Sequence, residues 1–582
     1  MKYHYIRKEI GEQPMSGTKT ALHARNGFVT SKALRNFLSA SILTSIAAQL
    51  AVTTDSAIVS HMIGTEAMSA INMAMPLTIF FSCFSILLGL GASVLAARAI
   101  GNRDKDKVNR IFTISLLLLA VSGSAVSLLT SEFCDGITGF ICPDTDIYPY
   151  ARSYTEIISA GAVFLVLSNG VNYFVSTDGN PGLVAKGVMA GAIANIVLDI
   201  VLVHFMGIAG SAIATVLNYI ITLAIVSVHF FRKGSSYRLV NPFRRFGKHL
   251  AENIYEGLPL MLGNLFLSGA VFIVNKMILD AAGADGIYTW AICLQLLMIT
   301  FVVLNGVGNA MLSIGGVLAG EKDYNGLRIL TRLCIGLVCG VLALFTIFVL
   351  AFPEALSAMF GAGKGGDISA INGSLRIFSL LLIPFAVTLV MRFLFQVLEH
   401  RILSLLLSVG QLAFIIGSLW VFIWISPDIL WWSFPFSAII LIAIQLAATI
   451  ALHIKDRNIS AITLIPAGTA DEESMDLSSA CDREMAEDAI EKVRNFLYSR
   501  NIDSTKIKWL IENCKEYTEV LRRHTNGRKQ SFDMHIRVMK EETHMVLRAA
   551  GKRIDFDPTP EDNTTCMEHK YMYGQNVLFA RI

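Results

Sequence analysis

Long apolar runs dominate the first 455 residues. Read in windows of about 17–25 residues, the length that crosses a hydrocarbon core as a helix, they fall near 35–60, 67–97, 110–130, 151–176, 182–204, 208–231, 256–280, 286–318, 327–352, 374–398, 401–426 and 430–453. The pattern predicts roughly twelve transmembrane helices, the two longest tilting or running out into water. Beyond residue 455 the periodicity changes. EMAEDAIEKVRNFLYSR and KIKWLIENCKEYTEVLRRH repeat their apolar positions as amphipathic helices do, whereas SFDMHIRVMK, HMVLRAAG and NVLFARI read as strands. The expected fold is an all-α polytopic membrane protein with a C-terminal α/β sandwich. Its predicted parts are a lead-in (1–34), two helical lobes (35–231 and 256–455), a basic connector (232–255), a polar linker (456–480) and a soluble domain (481–582).

Composition sharpens this division. The chain is 54% hydrophobic and only 16% charged, with mean hydropathy +0.56, yet residues 455–582 carry close to half of its acidic and basic side chains. A net charge of +3 with no basic stripe interleaved with aromatics excludes a nucleic-acid surface. Basic residues gather in two connections, Arg98, Arg103, Lys105, Lys107 and Arg110, then Arg232, Lys233, Arg238, Arg244, Arg245 and Lys248. The loop SEFCDGITGFICPDTDIYPY, expected on the other side, has neither Lys nor Arg. The positive-inside rule therefore puts both termini and the connector in the cytoplasm of a cell membrane, that of a bacterial inner membrane. The lead-in lacks a small-residue cleavage site after a short apolar core and reads as cytosolic. Cys134 and Cys142 share the outer loop, and the sequence leaves their pairing open.

The two lobes repeat one another. GTEAMSAINM and GNRDKDKVNRI begin at Gly64 and Gly101, while GADGIYTWAI and GEKDYNGLRIL begin at Gly283 and Gly320. Both pairs share one spacing, which a chance match of single glycines would not produce. With six spans per repeat the lobes have parallel topology around an axis along the membrane normal, a plan suited to alternating access.

Against this apolar background stand Asp55 and Asp199. A carboxylate in hydrocarbon costs several kcal/mol and normally faces a protein cavity on an ion or proton path. Asp55 precedes His61 by six residues and Asp199 precedes His204 by five, which puts them at similar depth in the outer half of two spans running the same way. Asn195 lies one turn before Asp199 on the same face, and Asn169 and Asn172 form a second one-faced pair. Such oxygens could hold a dehydrated Na⁺, at Asp55, Asn195 and Asp199, or pass a proton; the asparagines could equally be interhelical hydrogen-bond partners. Arg392 lies close to Glu399 and the cytosolic end of its span, so snorkelling is preferred over lining a cavity.

The segments TTDSAIVSHMIGTEAMSAINMAMP, LGLGASVLAARAIGNRDKDK, STDGNPGLVAK and GAIANIVLDIVLVHFMGIAGSAIATVL resemble the multidrug and toxic compound extrusion (MATE) transporters over roughly residues 30–455. The resemblance implies two six-helix bundles exporting amphipathic small molecules in exchange for Na⁺ or H⁺, a secondary transporter rather than an enzyme, with no cofactor beyond the coupling ion. Carried over residue by residue, it implies a cation site of Asp55, Asn169, Asn172, Asn195, Asp199 and Thr215 in the first lobe. Members that use acids in helices seven and ten find no match, since Asn264, Asn275 and Arg392 stand in those spans. Lipid-linked glycan flipping, as in relatives of the superfamily, and a receptor signalling through its C-terminal domain are the alternatives.

That domain resembles the ATP-binding domain of histidine kinases and anti-sigma factors, through WLIENCKEYTEVLRRH, LRAAGKRIDFDP and YGQNVLFARI. Glu512 matches the family's glutamate, but Tyr517 stands where a metal-binding asparagine is expected, and Ala549 where an aspartate should precede Gly551. The expectation is a degenerate module that regulates or binds a cytosolic protein, with no nucleotide hydrolysis.

Overall fold

The structure, a computed structural model, describes residues 23–582 apart from 143–146, 233, 244–245, 360–367, 468–472, 501, 525–529, 541 and 558–564. Part of the predicted lead-in (1–22) and Lys233, Arg244 and Arg245 of the connector thus lie outside the described residues. The first lobe runs through α1 (Phe28–Met62), α2 (Thr65–Ser85), a π-helical turn (Ile86–Leu90), α3 (Gly91–Gly101), α4 (Lys105–Glu132), the short α5 (Cys134–Ile141), α6 (Tyr148–Ala160), α7 (Ala162–Thr177), α8 (Pro181–Met206) and α9 (Ile208–Ser227). The second comprises α10 (Phe246–Ala310), a π-helical turn (Met311–Gly315), α11 (Gly316–Gly320), α12 (Tyr324–Ala351), α13 (Pro353–Met359), α14 (Ile368–Ser379), α15 (Leu382–Val397), α16 (Arg401–Ile425) and α17 (Ser433–Lys455).

Among the described residues, 10 helices are long and apolar enough to cross a membrane, or 11 if the bent pair α6–α7, at 52°, is one span. The span expected at 256–280 is the first part of α10, which breaks at Gly283 (φ 63°, ψ −154°), a conformation open to glycine. Cys134 and Cys142 are both buried and no disulfide joins them.

The repeat seen in the sequence is physical. GNRD and GEKD each place a non-glycine residue at positive φ, Arg103 and Lys322, and each ends in an aspartate that caps the next helix. Asp104 accepts from the Lys107 backbone N–H at 2.9 Å and Asp323 from that of Gly326 at 2.8 Å. The helices they start, α4 and α12, both have 28 residues; α7 and α15 both have 16.

The lobes meet at the end carrying the basic loops, here the basic end. A Cβ on Gly101 would strike the backbone of Val317 and Gly320, and one on Gly320 the backbone of Arg98. The two repeat-related glycines thus touch each other across the pseudo-axis. Arg98 of α3 pairs there with Glu256 and Glu399 of the other lobe. Arg401 adds a 2.5 Å contact to Glu256, and the Gln396 amide donates to its carboxylate at 2.8 Å.

The soluble domain is a six-stranded sheet in the order β1-β2-β3-β4-β6-β5, with β1 (His23–Ala24), β2 (Glu473–Ala480), β3 (Ser531–Val538), β4 (Thr543–Ala550), β5 (Cys566–Met572) and β6 (Gln575–Arg581). Only the β1–β2 pair is parallel. The expected linker therefore ends earlier than residue 480, because 473–480 is a strand, and a piece of the lead-in adds the edge strand β1. Two-residue alternation splits the sheet. Met475, Leu477, Phe532, Met534, Ile536, Leu547 and Leu578 pack beneath α18 (Arg483–Tyr498) and α19 (Ser504–His524). Their neighbours on the opposite face, among them Asp476, Asp533, His535, Arg537 and Arg548, are buried against the basic end of the lobes. The sheet is thus covered on both faces, by helices on one side and by the membrane domain on the other.

Candidate functional site

Asp55 on α1 and Asn195 and Asp199 on α8 are all buried, and α1 packs along α8. Asp55 accepts a hydrogen bond from the Ser211 hydroxyl of α9 at 2.5 Å. Asp199 has no exposed surface, and neither of its oxygens finds a donor among the described residues; the Asn195 amide nitrogen is equally unpartnered. An ionised carboxylate so placed is strongly unfavourable unless a proton or a cation neutralises it. Beside it lies a cavity of about 260 Å³ lined by Asp55, Asn169, Asn172, Asn195, Thr215 and the rings of Tyr154 and Tyr219. The six site residues expected from the sequence are thus assembled within one lobe, five on the cavity wall and Asp199 one turn behind Asn195. Their oxygens suit a small hard cation. Ser211, Tyr154 and Tyr219 were not foreseen; hydroxyl residues are ordinary in membrane helices, and only the packing of α9 against α8, and of α6 against α9, brings them to the acids.

A second cavity, of about 340 Å³, lies between the lobes. It shares Thr44, Asn169 and Asn172 with the first, and adds Asn264, Asn305, Asn309, Ser313 and Arg392 from the second lobe. Arg392 does not snorkel. It is 8% exposed, donates from Nη1 to Ser408 Oγ at 3.1 Å, and lies with its guanidinium carbon 5.4 Å from the centroid of the Phe393 ring. The helix is too deeply packed at this point for the side chain to reach water along the bundle surface.

In the second lobe the chemistry of the acids is missing. Asn275 lies within a residue of the repeat position of Asp55 and accepts from the Trp290 indole at 2.5 Å. Leu419 lies at that of Asp199.

The soluble domain grips both lobes. Asp178, between α7 and α8, receives Lys570 Nζ at 2.5 Å on one oxygen, and on the other His229 Nε2 at 2.7 Å and the Ser236 backbone N–H at 2.9 Å. Burial opposes its ionisation, yet Lys570 and His229 outweigh that and hold the carboxyl well below the usual carboxylate range. Tyr573 donates its hydroxyl to the Thr177 carbonyl at 2.6 Å and its backbone N–H to that of Gly179 at 3.0 Å. Toward the second lobe, Arg548 pairs with Glu321 and with Asp323, the latter at 3.0 Å. Arg25 links Asp323 (2.7 Å) to Asp533 (2.9 Å). Asp323, Asp476 and His535 present three ligand atoms within 4.8 Å of one another, a set that could hold a metal; the Arg25 guanidinium, 2.7 Å from Asp323 and 4.0 Å from Asp476, already supplies a cation there.

The degenerate nucleotide positions fall on the helix-covered side. Tyr517 is buried against the Phe556 and His569 rings, and Ala549 lies in the core. Glu512 is exposed on α19, while the Gly551 backbone N–H donates to the Gly574 carbonyl at 3.2 Å.

Comparison with known proteins fits this duplicated architecture. The family model described as MatE matches twice, over residues 40–201 and 259–418. The chain belongs to the MatE family. Its relatives include the multidrug export protein MepA of Staphylococcus haemolyticus (strain JCSC1435), 23% identical over 255 residues, which is 43% of this chain and 55% of that protein. MepA of Staphylococcus aureus (strain MSSA476) is 24% identical over 252 residues, 43% of this chain and 54% of that one. The chain thus spans about half the length of these curated relatives. Among solved structures, a MOP superfamily transporter from Pyrococcus furiosus Vc1 (DSM3638) superposes with TM-score 0.66 at 21% identity, over 72% of this chain and 96% of that one. A multidrug resistance MATE family transporter in an outward-facing conformation gives the same values. The helical part therefore has the fold of this family, that of a multi-pass membrane protein, and the soluble domain lies outside the matched segments.

Proposed function

We propose that this MatE protein is a secondary exporter that exchanges H⁺ or Na⁺ for amphipathic small molecules by alternating access. The carrying observation is the Asp199 carboxylate, fully buried without a donor among the described residues on either oxygen, in one lobe with Asp55. Binding a proton or cation there removes a buried charge, and losing it restores that charge, so occupancy biases how α1 and α8 pack. The basic end is cytoplasmic in this reading. Contact between the lobes at that end through Gly101, Gly320 and Arg98 then corresponds to a state closed toward the cytosol. The MepA relatives are named as multidrug export proteins, which supports the same substrate class here.

The test is dye flux in proteoliposomes under imposed H⁺ and Na⁺ gradients, with Asp55→Asn and Asp199→Asn alongside. Gradient-driven flux lost in both variants supports the proposal. Flux indifferent to either gradient, or coupling intact in both variants, refutes it.

A second role, for the soluble domain, is favoured by its contacts with both lobes. It senses or restrains their relative position, acting as a regulatory module rather than a nucleotide hydrolase, since Tyr517 and Ala549 occupy the expected metal and adenine positions. Undiminished flux and unchanged substrate affinity after disrupting the Asp178–Lys570 contact would remove that role.

A further inference from the structure

The charge in the central cavity is of one sign. Its wall is built from asparagine amides, serine and threonine hydroxyls and the apolar surfaces of Ile86, Leu90, Val184, Leu260 and Phe393, and among the described residues it contains no aspartate or glutamate. The one ionised side chain on it is Arg392. No carboxylate of a described residue is ion-paired with that guanidinium, and its Nε has no hydrogen-bond partner among them. Among the described residues its side-chain hydrogen bond is to the neutral Ser408 hydroxyl.

The backbone makes room for this arrangement. A Cβ on Gly263 would come within 2.9 Å of Arg392 Nη1, so a glycine on α10 keeps space for the guanidinium. In the repeat Arg392 corresponds to Asn172, which lines the same cavity from the first lobe. At this repeat position the first lobe therefore presents a neutral amide and the second a buried cation. An uncompensated guanidinium in a membrane interior is strongly unfavourable, and its planar fork of donors matches a carboxylate, sulfonate or phosphate. The cavity volume suits an amphipathic molecule of modest size, whose apolar body would rest on Leu260 and Phe393.

We propose that the central cavity binds amphipathic organic anions, with Arg392 pairing with their carboxylate, sulfonate or phosphate group. The inference deepens the export reading and depends on it only for flux; binding is independent of it. Exchange of an anion outward for a cation inward moves charge in the same electrical sense twice. An inside-negative membrane potential should therefore accelerate substrate export, whereas one-for-one exchange of monovalent cations would be insensitive to it.

The test uses the full chain in nanodiscs of zwitterionic lipid, with taurocholate as anionic probe and tetraphenylphosphonium as cationic probe. Wild type should bind taurocholate the more tightly. Arg392→Gln should weaken taurocholate about 10- to 100-fold, the range of a charge-assisted hydrogen-bonded pair, while leaving tetraphenylphosphonium equal or stronger. Arg392→Lys, which keeps charge but loses the fork, should fall between. Lys492→Gln, on the exposed surface of α18 and lining neither cavity, serves as a control for handling and folding and should retain taurocholate binding. Tighter tetraphenylphosphonium binding by wild type, or an unchanged taurocholate affinity in a folded Arg392→Gln protein, overturns the proposal. Phosphatidylglycerol added to the nanodiscs separates sources: competition with taurocholate that disappears in Arg392→Gln assigns the site to a lipid headgroup, and absence of competition to a soluble anion. If taurocholate binding follows Arg392 but its flux ignores every gradient, the exporter reading fails and the anion site stands.

Discussion

Replacing Asp178 by asparagine should loosen the soluble domain from the membrane domain. The carboxylate has no exposed side-chain surface and Lys570 only 10%, so solvent screens the pair little. Three donors converge on its two oxygens, from Lys570, His229 and the Ser236 backbone. Asparagine offers one acceptor oxygen and turns an NH₂ toward groups that also donate. Removing one partner of a buried pair costs about 3–5 kcal/mol, because the other charge is left uncompensated; at about 1.4 kcal/mol per factor of ten, the docking equilibrium falls by roughly two to four orders of magnitude. Hydrogen exchange in nanodiscs reads this directly, as lost protection in β5 and β6 with α18 and α19 unchanged. Asp178→Leu combined with Lys570→Met removes both charges and should recover most of the protection, since apolar replacement of a whole buried pair is close to neutral. Protection unchanged in Asp178→Asn, or a double variant as exposed as the single, refutes the assignment. The sign with pH follows from the lowered pKa. The contribution is complete above the unfolded carboxyl value, about 3.9, and is lost only as pH falls through the lower folded value, so Asp178 confers no pH dependence near neutrality.

Three further outcomes are expected. His535 is buried, which opposes its charging, but Asp323 and Asp476 raise its pKa despite Arg25; its contribution to docking is full below about pH 6.5 and lost as pH rises through the raised value, so β3 protection should fall toward alkaline pH in wild type and not in His535→Gln. Gly101→Val forces a branched side chain into the Gly320 backbone, and a cysteine reporter at the basic end should become more reactive to a membrane-impermeant maleimide; unchanged labelling would mean the glycine contact does not hold that end shut. Trp290→Phe removes the donor to Asn275, whose side chain is itself exposed, so the loss is that of one hydrogen bond, about 0.5–1.5 kcal/mol, read as a slightly lowered melting midpoint in detergent; an unchanged midpoint would mean the bond adds nothing.

Much of the candidate site was legible because its signals are local. An acid in an apolar helix is anomalous wherever it points, and Asn195 shares the face of Asp199 by helical geometry alone. Ser211, Tyr154 and Tyr219 carry no such signal, since their relevance comes from helices that meet only in three dimensions. Arg392 misled because distance along the chain to a helix end does not measure distance to water. Its span is packed on all sides at that level, and the side chain is held inside by Ser408 and the space at Gly263. The strand β2 escaped notice for a related reason. Its alternate residues, such as Asp476, meet buried charge rather than solvent or core, so the usual pattern of apolar and exposed positions is absent.

The amino-acid sequence by itself determined the membrane class, the duplicated lobes and the acids of the first lobe, because hydropathy, turn chemistry and helical periodicity act over short stretches. Only the tertiary structure decided that Gly101 meets Gly320, that Arg392 faces the central cavity, and that the soluble sheet is clamped across both lobes by Lys570, Arg548 and Arg25. Those contacts join residues up to several hundred positions apart, and their energies come from burying opposite charges together, a quantity that no local pattern contains.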